Sequence, residues 1–549
     1  MISAFFDYAS PSALVSERDR ALLGFAADAH RPVRFNGRIK NQVPMVRFAL
    51  RTLGSAIWSR DDWTSDGDGG VLDPVITVHP DRIFFEAFSG DQSAYVALLL
   101  DPGLFEIEGE VRTGTTNVDF TAWLWGALGE LRSSRDTWLR IDPAGFAVET
   151  KDAGGRFEPK VDVPDEWVRG FLQIQSAMAM PGTRVSMRPV DLLAAIRYLK
   201  FTKAKLSPRA LRYEFYPGKD ARLVLEPWEH QIPLKGSEHG YTEPRIIRTW
   251  GRRRLKLIEP LLPFAERVDV YLKGRGLPSF YAVKLPGMTF LLGLSGSSTH
   301  RWSGAGSFDL LGDSTDANPA LVDSVAQILA AQFKATEREL AEKLAQPPAK
   351  IHAALSKLCR LGRAIYDVET RAFRHRELFA QPIDEAKLYP PDPRSEQAAA
   401  FLAAGTVQID SCQPQETRKD RRLKTPDGPV TRTIVYRDWK VTGTVGGTGP
   451  LEIVIDDNGR VIFGKCPCAF FQENLLGRGP CEHMVALFRA SEPQRRDLPS
   501  SFAAKDESIV PSPAAQAAKA AKNEDAEADE EEEENDEESL DDETEGDEK

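Results

Sequence analysis

Residues 466–483 read CPCAFFQENLLGRGPCEH, and this stretch decides the fold of the C-terminal part of the chain. Cys466 and Cys468 are separated by one residue, and Cys481 and His483 repeat that spacing after a gap of twelve residues. Residues i and i+2 of a strand project to the same side, so two thiols at the end of a strand can reach one ion. A disulfide between them would close a strained, tight ring. Three thiolates and one imidazole complete a tetrahedral Zn²⁺ shell, so the spacing predicts one structural zinc ion and no hydrolytic centre.

The flanking sequence predicts strands before this stretch and a helix after it. Apolar residues alternate over Trp439–Val445, and two further strands are predicted at Leu451–Ile455 and Arg460–Lys465. Residues 457–459 (Asp-Asn-Gly) suit a tight hairpin turn, because Asn-Gly supplies positive φ angles. The helix is predicted over Met484–Ala490, which places the second ligand pair at its start, where peptide dipoles favour a thiolate.

A competing interpretation of these four residues is a set of buried thiols beside a surface histidine, since free cysteine packs well in cores. Three of the five cysteines fall within sixteen residues next to a histidine, whereas Cys359 and Cys412 lie apart from them. This clustering favours zinc. Zinc binding would contribute on the order of 10 kcal/mol to the folding of a module too small for a large core.

Cys-x-Cys-x12-Cys-x-His between a hairpin and a helix resembles the SWIM zinc finger, whose Cys-x-Cys and Cys-x-His pairs sit on a ββα core. All four ligand types are present here without substitution. Residues 278–296 (PSFYAVKLPGMTFLLGLSG) and 364–378 (AIYDVETRAFRHREL) are also similar to bacterial SWIM-containing proteins of comparable length. The resemblance implies a module that binds DNA or proteins, as SWIM modules are thought to do in transposases and chromatin-remodelling ATPases.

Apolar residues adopt a helical period between positions 320 and 380. A first amphipathic helix carries an apolar stripe over Val322–Leu329. Thr336 stands three residues before Glu339, which is a capping box at the start of a short second helix. Residues 346–348 (Gln-Pro-Pro) separate that helix from the next, because proline begins a helix but cannot continue one. The third helix and two following strands are predicted at Ala349–Leu361, Ala364–Val368 and Ala372–Leu378.

Three helices, a proline turn and a basic hairpin are typical of a winged helix-turn-helix. Seven Lys/Arg stand between Lys350 and Arg376, against Asp367 and Glu369. This bias suits a DNA major groove and its flanking phosphates, but many winged helices bind only proteins, and both interpretations stay open. The candidate nucleic-acid-binding residues here and in the basic stretch 418–440 are Lys350, Lys357, Arg360, Arg371, Arg374, Arg376, Arg421, Arg422 and Lys424.

The first 310 residues mix helix and strand patterns. Residues 118–120 and 190–192 each open a predicted helix, about 72 residues apart, and strand patterns follow both at similar spacing, 138–140 matching 211–213. A duplicated α+β domain is one hypothesis, although unrelated segments share such spacing. A basic cluster surrounds Trp250, and it is either a phosphate-binding surface or a solvated face with the tryptophan in the core.

Acidic residues are concentrated at the C-terminus of a chain whose net charge is −12. Positions 524–549 hold 18 carboxylates and one lysine, which leaves 69 basic against 64 acidic residues in positions 1–523. Such a tail buries too little apolar surface to offset chain entropy, so disorder is predicted. It is interpreted either as a solubilising extension or as a nucleic-acid mimic that competes for basic surfaces of the same chain.

Together these patterns predict an α+β multidomain chain. Its parts are a mixed α+β N-terminal region with a hypothetical duplication, a winged helix-turn-helix, a ββα SWIM-type zinc module and a disordered acidic tail. The boundaries are an N-terminal α/β segment at 1–104, a strand-rich α+β region at 105–310, the winged-helix-like domain at 320–380, a linker at 381–405, the zinc module at 406–492 and the tail at 493–549.

Several functional classes find no support in the sequence. There is no Walker A motif, no His-Glu-x-x-His and no Gly-x-Ser-x-Gly, and the eight histidines are mostly isolated, so no catalytic residue is assigned and no enzyme is expected. No apolar run reaches the ~18–20 residues of a membrane span, and no signal peptide is recognised. We expect a cytoplasmic protein whose partner is nucleic acid, DNA before RNA, or another protein, and no small-molecule substrate. The alternative is an adaptor for an ATPase complex without direct DNA contact.

Overall fold

The computed structural model describes most of the chain between residues 5 and 496. The described ranges are 5–59, 73–145, 160–162, 165–204, 209–273, 278–296, 317–379, 393–425, 428–455, 461–475 and 480–496. The predicted acidic tail from residue 497 onward, residues 381–392 of the predicted linker and the predicted turn at 457–459 lie outside these ranges. None of the helices within them combines the length and hydropathy that a bilayer crossing requires.

Strands dominate the region up to residue 294. In chain order they are β1 (Phe5–Asp7), β2 (Ala13–Ser16), β3 (Arg20–Ala26), β4 (Phe35–Ile39), β5 (Val75–Val78), β6 (Ile83–Phe88), β7 (Ala94–Leu100), β8 (Phe105–Ile107), β9 (Gly114–Asn117), β10 (Asp136–Asp142), β11 (Lys160–Asp162), β12 (Gly182–Met187), β13 (Leu211–Phe215), β14 (Arg222–Leu225), β15 (His230–Pro233), β16 (Arg245–Thr249), β17 (Arg267–Lys273), β18 (Ser279–Leu285) and β19 (Met288–Leu294). The α-helices between them are α1 (Val43–Ile57), α2 (Ala122–Ala127), α3 (Asp165–Ala179) and α4 (Pro189–Phe201).

The largest sheet has eight antiparallel strands in the order β12-β17-β18-β19-β7-β6-β5-β9. Strands β5, β6, β7 and β19 are mostly apolar, and they are buried at every position because both faces of the sheet are covered. Helices α1 and α4 pack on one face, and α3 packs on the other. Strands from both sides of position 104 share this sheet, so the predicted segments 1–104 and 105–310 form one body.

Two smaller sheets have the orders β2-β3-β10-β4-β8 and β15-β14-β13-β16, and β1 pairs with β11. The order β15-β14-β13-β16 repeats the order β7-β6-β5-β9 of the large sheet. In the chain, β4 and α1 precede the set β5, β6, β7 and β9, and β12 and α4 precede the set β13 to β16. The sequence pattern had matched β10 with β13. That match is wrong in topology, because β10 pairs parallel with β3 whereas β13 is antiparallel to both neighbours.

Residues 319–375 form three helices and a three-stranded antiparallel sheet of order β20-β22-β21. The elements are α5 (Pro319–Gln332), β20 (Lys334–Ala335), α6 (Glu337–Leu344), α7 (Pro348–Arg360), β21 (Ala364–Asp367) and β22 (Ala372–His375). The predicted capping box is present: the Glu339 amide donates to Thr336 Oγ1, and the Thr336 amide donates to Glu339 Oε2. Helix α7 buries the face that carries Ile351, Leu355 and Leu358, as its periodicity predicted.

The C-terminal unit has its own sheet, of order β23-β24-β25-β26, and its own core. Its elements are α8 (Pro393–Ala403), β23 (Val407–Thr425), β24 (Gly428–Val445), β25 (Thr448–Ile455), β26 (Val461–Lys465), α9 (Ala469–Asn474), α10 (Glu482–Ala490) and α11 (Glu492–Arg496). Helix α8 lies within the predicted linker 381–405, but its Ala398 is fully buried in that core. The helix therefore belongs to the C-terminal unit.

The basic stretch 418–440 is mostly strand. Strands β23 and β24 pair with each other from Val407 to Thr425, whereas β24 pairs with β25 only from Trp439 onward. Residues 415–438 therefore form a two-stranded ribbon that continues beyond the sheet, joined at positions 426–427 outside the described ranges.

Candidate metal centre

The four predicted ligands meet in the C-terminal unit. The ligand atoms of Cys466, Cys468, Cys481 and His483 all lie within 4.8 Å of one another, and Cys466 Sγ is 3.9 Å from His483 Nδ1. Tetrahedral zinc with bonds of about 2.3 Å to sulfur and 2.0 Å to nitrogen separates the two atoms by about 3.6 Å. The donors therefore fit one metal ion with no shell position left over, and the set is compatible with a zinc finger.

Turns and helix ends bring these residues together, rather than the strand that the sequence predicted. Strand β26 ends at Lys465, and Pro467 cannot donate to a strand ladder. Cys468 instead caps α9, and its sulfur accepts the Phe471 amide at 3.4 Å. Cys481 caps α10, as predicted, and His483 lies in the first turn of that helix.

Burial and mutual hydrogen bonding separate the acidities of the three thiols. The Cys466 thiol donates a hydrogen bond that lowers the pKa of Cys481 to about 5. The same hydrogen bond to Cys481 raises the pKa of Cys466, because the Cys466 thiol is its donor. Burial raises the pKa of Cys468. One thiolate is thus available at neutral pH, and a metal ion would displace protons from the other two.

Apolar and polar neighbours fix the ligand positions. Met484 and Leu487 of α10 are fully buried beneath the group, and Gln472 Nε2 donates to the Cys466 carbonyl at 3.1 Å. The Phe401 ring of α8 stacks on the His483 imidazole with centroids 5.3 Å apart and 26° between the ring planes. No local pattern indicates this contact, because α8 and α10 are far apart in the chain.

Two of the candidate nucleic-acid-binding residues are internal. Arg374 and Arg376 have side chains that are 0% exposed. Arg374 Nε donates to Asp367 at 2.8 Å, and Arg376 Nη1 lies 3.3 Å from Glu86 of β6. The prediction of an exposed basic wing is wrong for both residues, because Arg374 reaches Asp81 beside the large sheet and Arg376 reaches Glu86 within it.

The other candidates lie elsewhere on the surface or in the ribbon. Lys350 of α7 and Arg371 of the β21–β22 turn are exposed, whereas Lys357 and Arg360 are half-buried on α7. Arg421, Arg422 and Lys424 belong to β23, where the backbone register sets them opposite Arg432, Thr431 and Pro429; their side chains fall outside the described part of the chain. The structure thus groups the metal ligands but does not join all the basic residues into one surface.

Half of the six cations around Trp250 make internal contacts, whereas Arg245, Arg253 and Lys256 are exposed. Arg254 is 1% exposed and pairs with Asp91, while Arg248 Nε donates to Glu226 at 3.1 Å. Trp250 is half-buried. Long-range ion pairs of this kind leave no local signal in the sequence, so the cluster resembled a surface patch.

The comparisons with known proteins show no family. No family model and no curated protein matches this chain. Among solved structures, the crystal structure of Proliferating Cellular Nuclear Antigen from Entamoeba histolytica aligns with 48% of this chain and 98% of its own, at 11% sequence identity and a TM-score of 0.32. A similarity at this level supports neither a family nor a function.

Proposed function

We propose that residues 393–496 are a zinc-organised module of the SWIM type, through which the protein binds nucleic acid, with double-stranded DNA as the expected form. The convergence of three sulfurs and one imidazole nitrogen within 4.8 Å carries this proposal. A soft donor set of this composition selects zinc over magnesium or calcium, and a filled shell makes the site structural. Hairpin β25–β26 before the first ligand pair and α10 at the second match the ββα arrangement of the SWIM resemblance.

The ribbon 415–438 supports nucleic acid as the partner. It extends the sheet by about 35 Å at 3.4 Å per residue. Residues 415–438 contain seven Lys/Arg against four carboxylates, Glu416, Asp420, Asp427 and Asp438. The register sets Arg421 directly opposite Arg432. Like charges opposite each other destabilise a strand pair unless an anion lies nearby. The major groove of a duplex admits a two-stranded β-ribbon, so the ribbon has the dimensions and charge for that partner.

The segment 319–379 has the element order of a winged helix and would add contacts through α7. Lys350 is exposed at the start of that helix, and Lys357 is half-buried two turns further along the same face. Its hairpin contributes little to such a contact, because Arg374 and Arg376 are buried against the large sheet.

The experiment has a metal arm and a binding arm. We expect one zinc per chain in elemental analysis of the full-length protein, and none in Cys468→Ser.

In a shift assay with duplex DNA, the triple variant R421E/R422E/K424E should bind more weakly and lower the slope of log K against log salt by about three. The control R132E/K219E/K235E changes the net charge equally at three exposed positions of the N-terminal body and should behave like wild type. Metal-free protein, or wild type with salt-independent or no binding, would contradict the proposal.

A protein-binding adaptor is the second candidate, favoured by the internal position of Arg374 and Arg376, which removes two cations from the hairpin. Affinity purification with and without nuclease separates the two functions. A partner set that survives nuclease treatment would favour the adaptor, and one that disappears would favour nucleic acid.

A further inference from the structure

The first turn of helix α8 is hydrogen-bonded to the ligand-bearing helix α10 and to the residue before the third thiol ligand. Arg489 of α10 donates to Ser395, through Nη2 to Oγ at 2.6 Å and through Nη1 to the carbonyl at 3.3 Å. Arg394 Nη1 donates to the carbonyl of Pro480, the residue before the third thiol ligand, at 3.3 Å. Ala398, about one turn further along α8, is fully buried. The helix therefore has a fixed position over the candidate metal centre.

The aromatic ring at the end of α8 faces the histidine ligand. Phe401 and His483 stack with centroids 5.3 Å apart and only 26° between ring planes. The imidazole Nδ1 points to the sulfurs, since it lies 3.9 Å from Cys466 Sγ. The stack limits tilting of the imidazole, and the tilt decides whether Nδ1 can reach a shared ion.

A glycine turn lies against one edge of the Phe401 ring. Gly446 and Gly447 follow β24, and both have positive φ, 58° and 78°. A Cβ on Gly446 would lie 2.5 Å from Phe401 Cε1, whereas a Cβ on Gly447 would meet no atom within 4 Å. The Phe401 ring thus contacts this turn along an edge and stacks on the imidazole with a face.

We propose that Phe401 is a positioning residue for the metal centre, and that α8 is consequently part of the metal-binding module. The ring holds the His483 imidazole in the orientation that presents Nδ1 to the ion. This role rests on the proposed metal centre and adds to it a residue outside the four ligands and outside the ββα core.

Release of zinc from full-length protein to a chromophoric chelator, and the ligand-field spectrum of the Co²⁺-substituted protein, test the role. Phe401→Leu keeps an apolar side chain but removes the ring, so zinc release should be about tenfold faster and the Co²⁺ bands should shift. Phe401→Tyr keeps the ring, so its zinc release rate and Co²⁺ bands should be those of wild type. Leu402→Ala, at the neighbouring half-buried position of α8, is the control and should resemble wild type.

Substitutions at the two glycines form a matched pair of variants in which Phe401 and His483 are both unchanged. Gly446→Ala and Gly447→Ala impose similar backbone strain, but only the first pushes a methyl group into the Phe401 ring. Gly446→Ala should release zinc faster than Gly447→Ala. In a Phe401→Leu background this difference should shrink, because the two changes act on one contact.

The outcomes separate the positioning role from the metal centre. If wild type takes up zinc, and Phe401→Leu has the same zinc release rate and Co²⁺ spectrum as wild type, the positioning role alone is overturned. Equal zinc release rates from the two glycine variants would also overturn it. Wild type that takes up neither Zn²⁺ nor Co²⁺ would overturn the metal centre itself, and the role of Phe401 with it.

Discussion

Buried arginines in the N-terminal body and the β21–β22 hairpin act as structural cations. Arg374 bridges Asp367 and Asp81, each at 2.8 Å, and Arg376 pairs with Glu86. The carboxylate of Glu369 in the same hairpin is held by cations of the large sheet. A buried charge that loses its partner is strongly destabilising, so these residues fix the hairpin on the sheet.

Replacing Arg376 with methionine should therefore destabilise the body by about 3–5 kcal/mol, because Glu86 would remain buried without its cation. Arg371→Met is the control: its side chain is exposed in the same hairpin, and the expected change is within about 0.5 kcal/mol. Urea unfolding of the full-length variants measures both. Equal stability of the two variants would show that Arg376 has no structural role.

His79 makes the stability of the body depend on pH. Burial, reinforced by nearby Arg374, lowers the pKa of His79 to about 4, and its ring packs between Phe84 and Phe333. The unfolded chain takes up this proton near pH 6.5, but the folded chain does so only near pH 4, so the folded state loses about 3 kcal/mol as the pH falls through that window.

His79→Phe should flatten this part of the pH profile in urea unfolding between pH 7 and pH 4. His352→Gln, which removes an exposed histidine of α7, should retain the wild-type slope. Burial also lowers the pKa of His375, and this residue is unchanged in both variants. A slope that does not respond to His79→Phe would place the acid sensitivity elsewhere.

At the scale of elements, the capping box of α6 is a local device whose effect can be isolated. Thr336→Ala removes the acceptor of the Glu339 amide and should cost about 1 kcal/mol. Ser324→Ala in α5 removes only an exposed hydroxyl that donates to the Ala320 carbonyl at 2.8 Å, and it should be nearly neutral. Chemical unfolding of the two variants gives the difference, and a neutral Thr336→Ala would rule out the contribution of the box.

Elements with a strong local period were predictable, and those governed by distant contacts were not. The capping box and apolar stripes placed α5, α6 and α7 to within a few residues. The ribbon was missed because its many charges hide the strand alternation, and α9 was missed because it is only six residues long. The four ligands could be found from spacing alone, but the turn at Pro467 that orients the first pair could not.

At the scale of the whole molecule, long-range pairing accounts for most of what the sequence concealed. Strand β7 lies beside β19 in the large sheet, and no local pattern indicates that residues near 97 and 291 are partners. The C-terminal unit differs, because its described core shares no residue with the cores of the body. Removing the metal should therefore loosen this unit and leave the body intact.

Hydrogen exchange of the full-length protein, with and without a chelator, tests the central claim most directly. Metal removal should raise amide exchange across residues 439–490, re-addition of Zn²⁺ should reverse it, and peptides from 73–145 and 278–296 should not change. Cys468→Ser should exchange like the chelated wild type under both conditions. Exchange in residues 439–490 that is the same with and without metal would contradict the claim that an ion organises this unit.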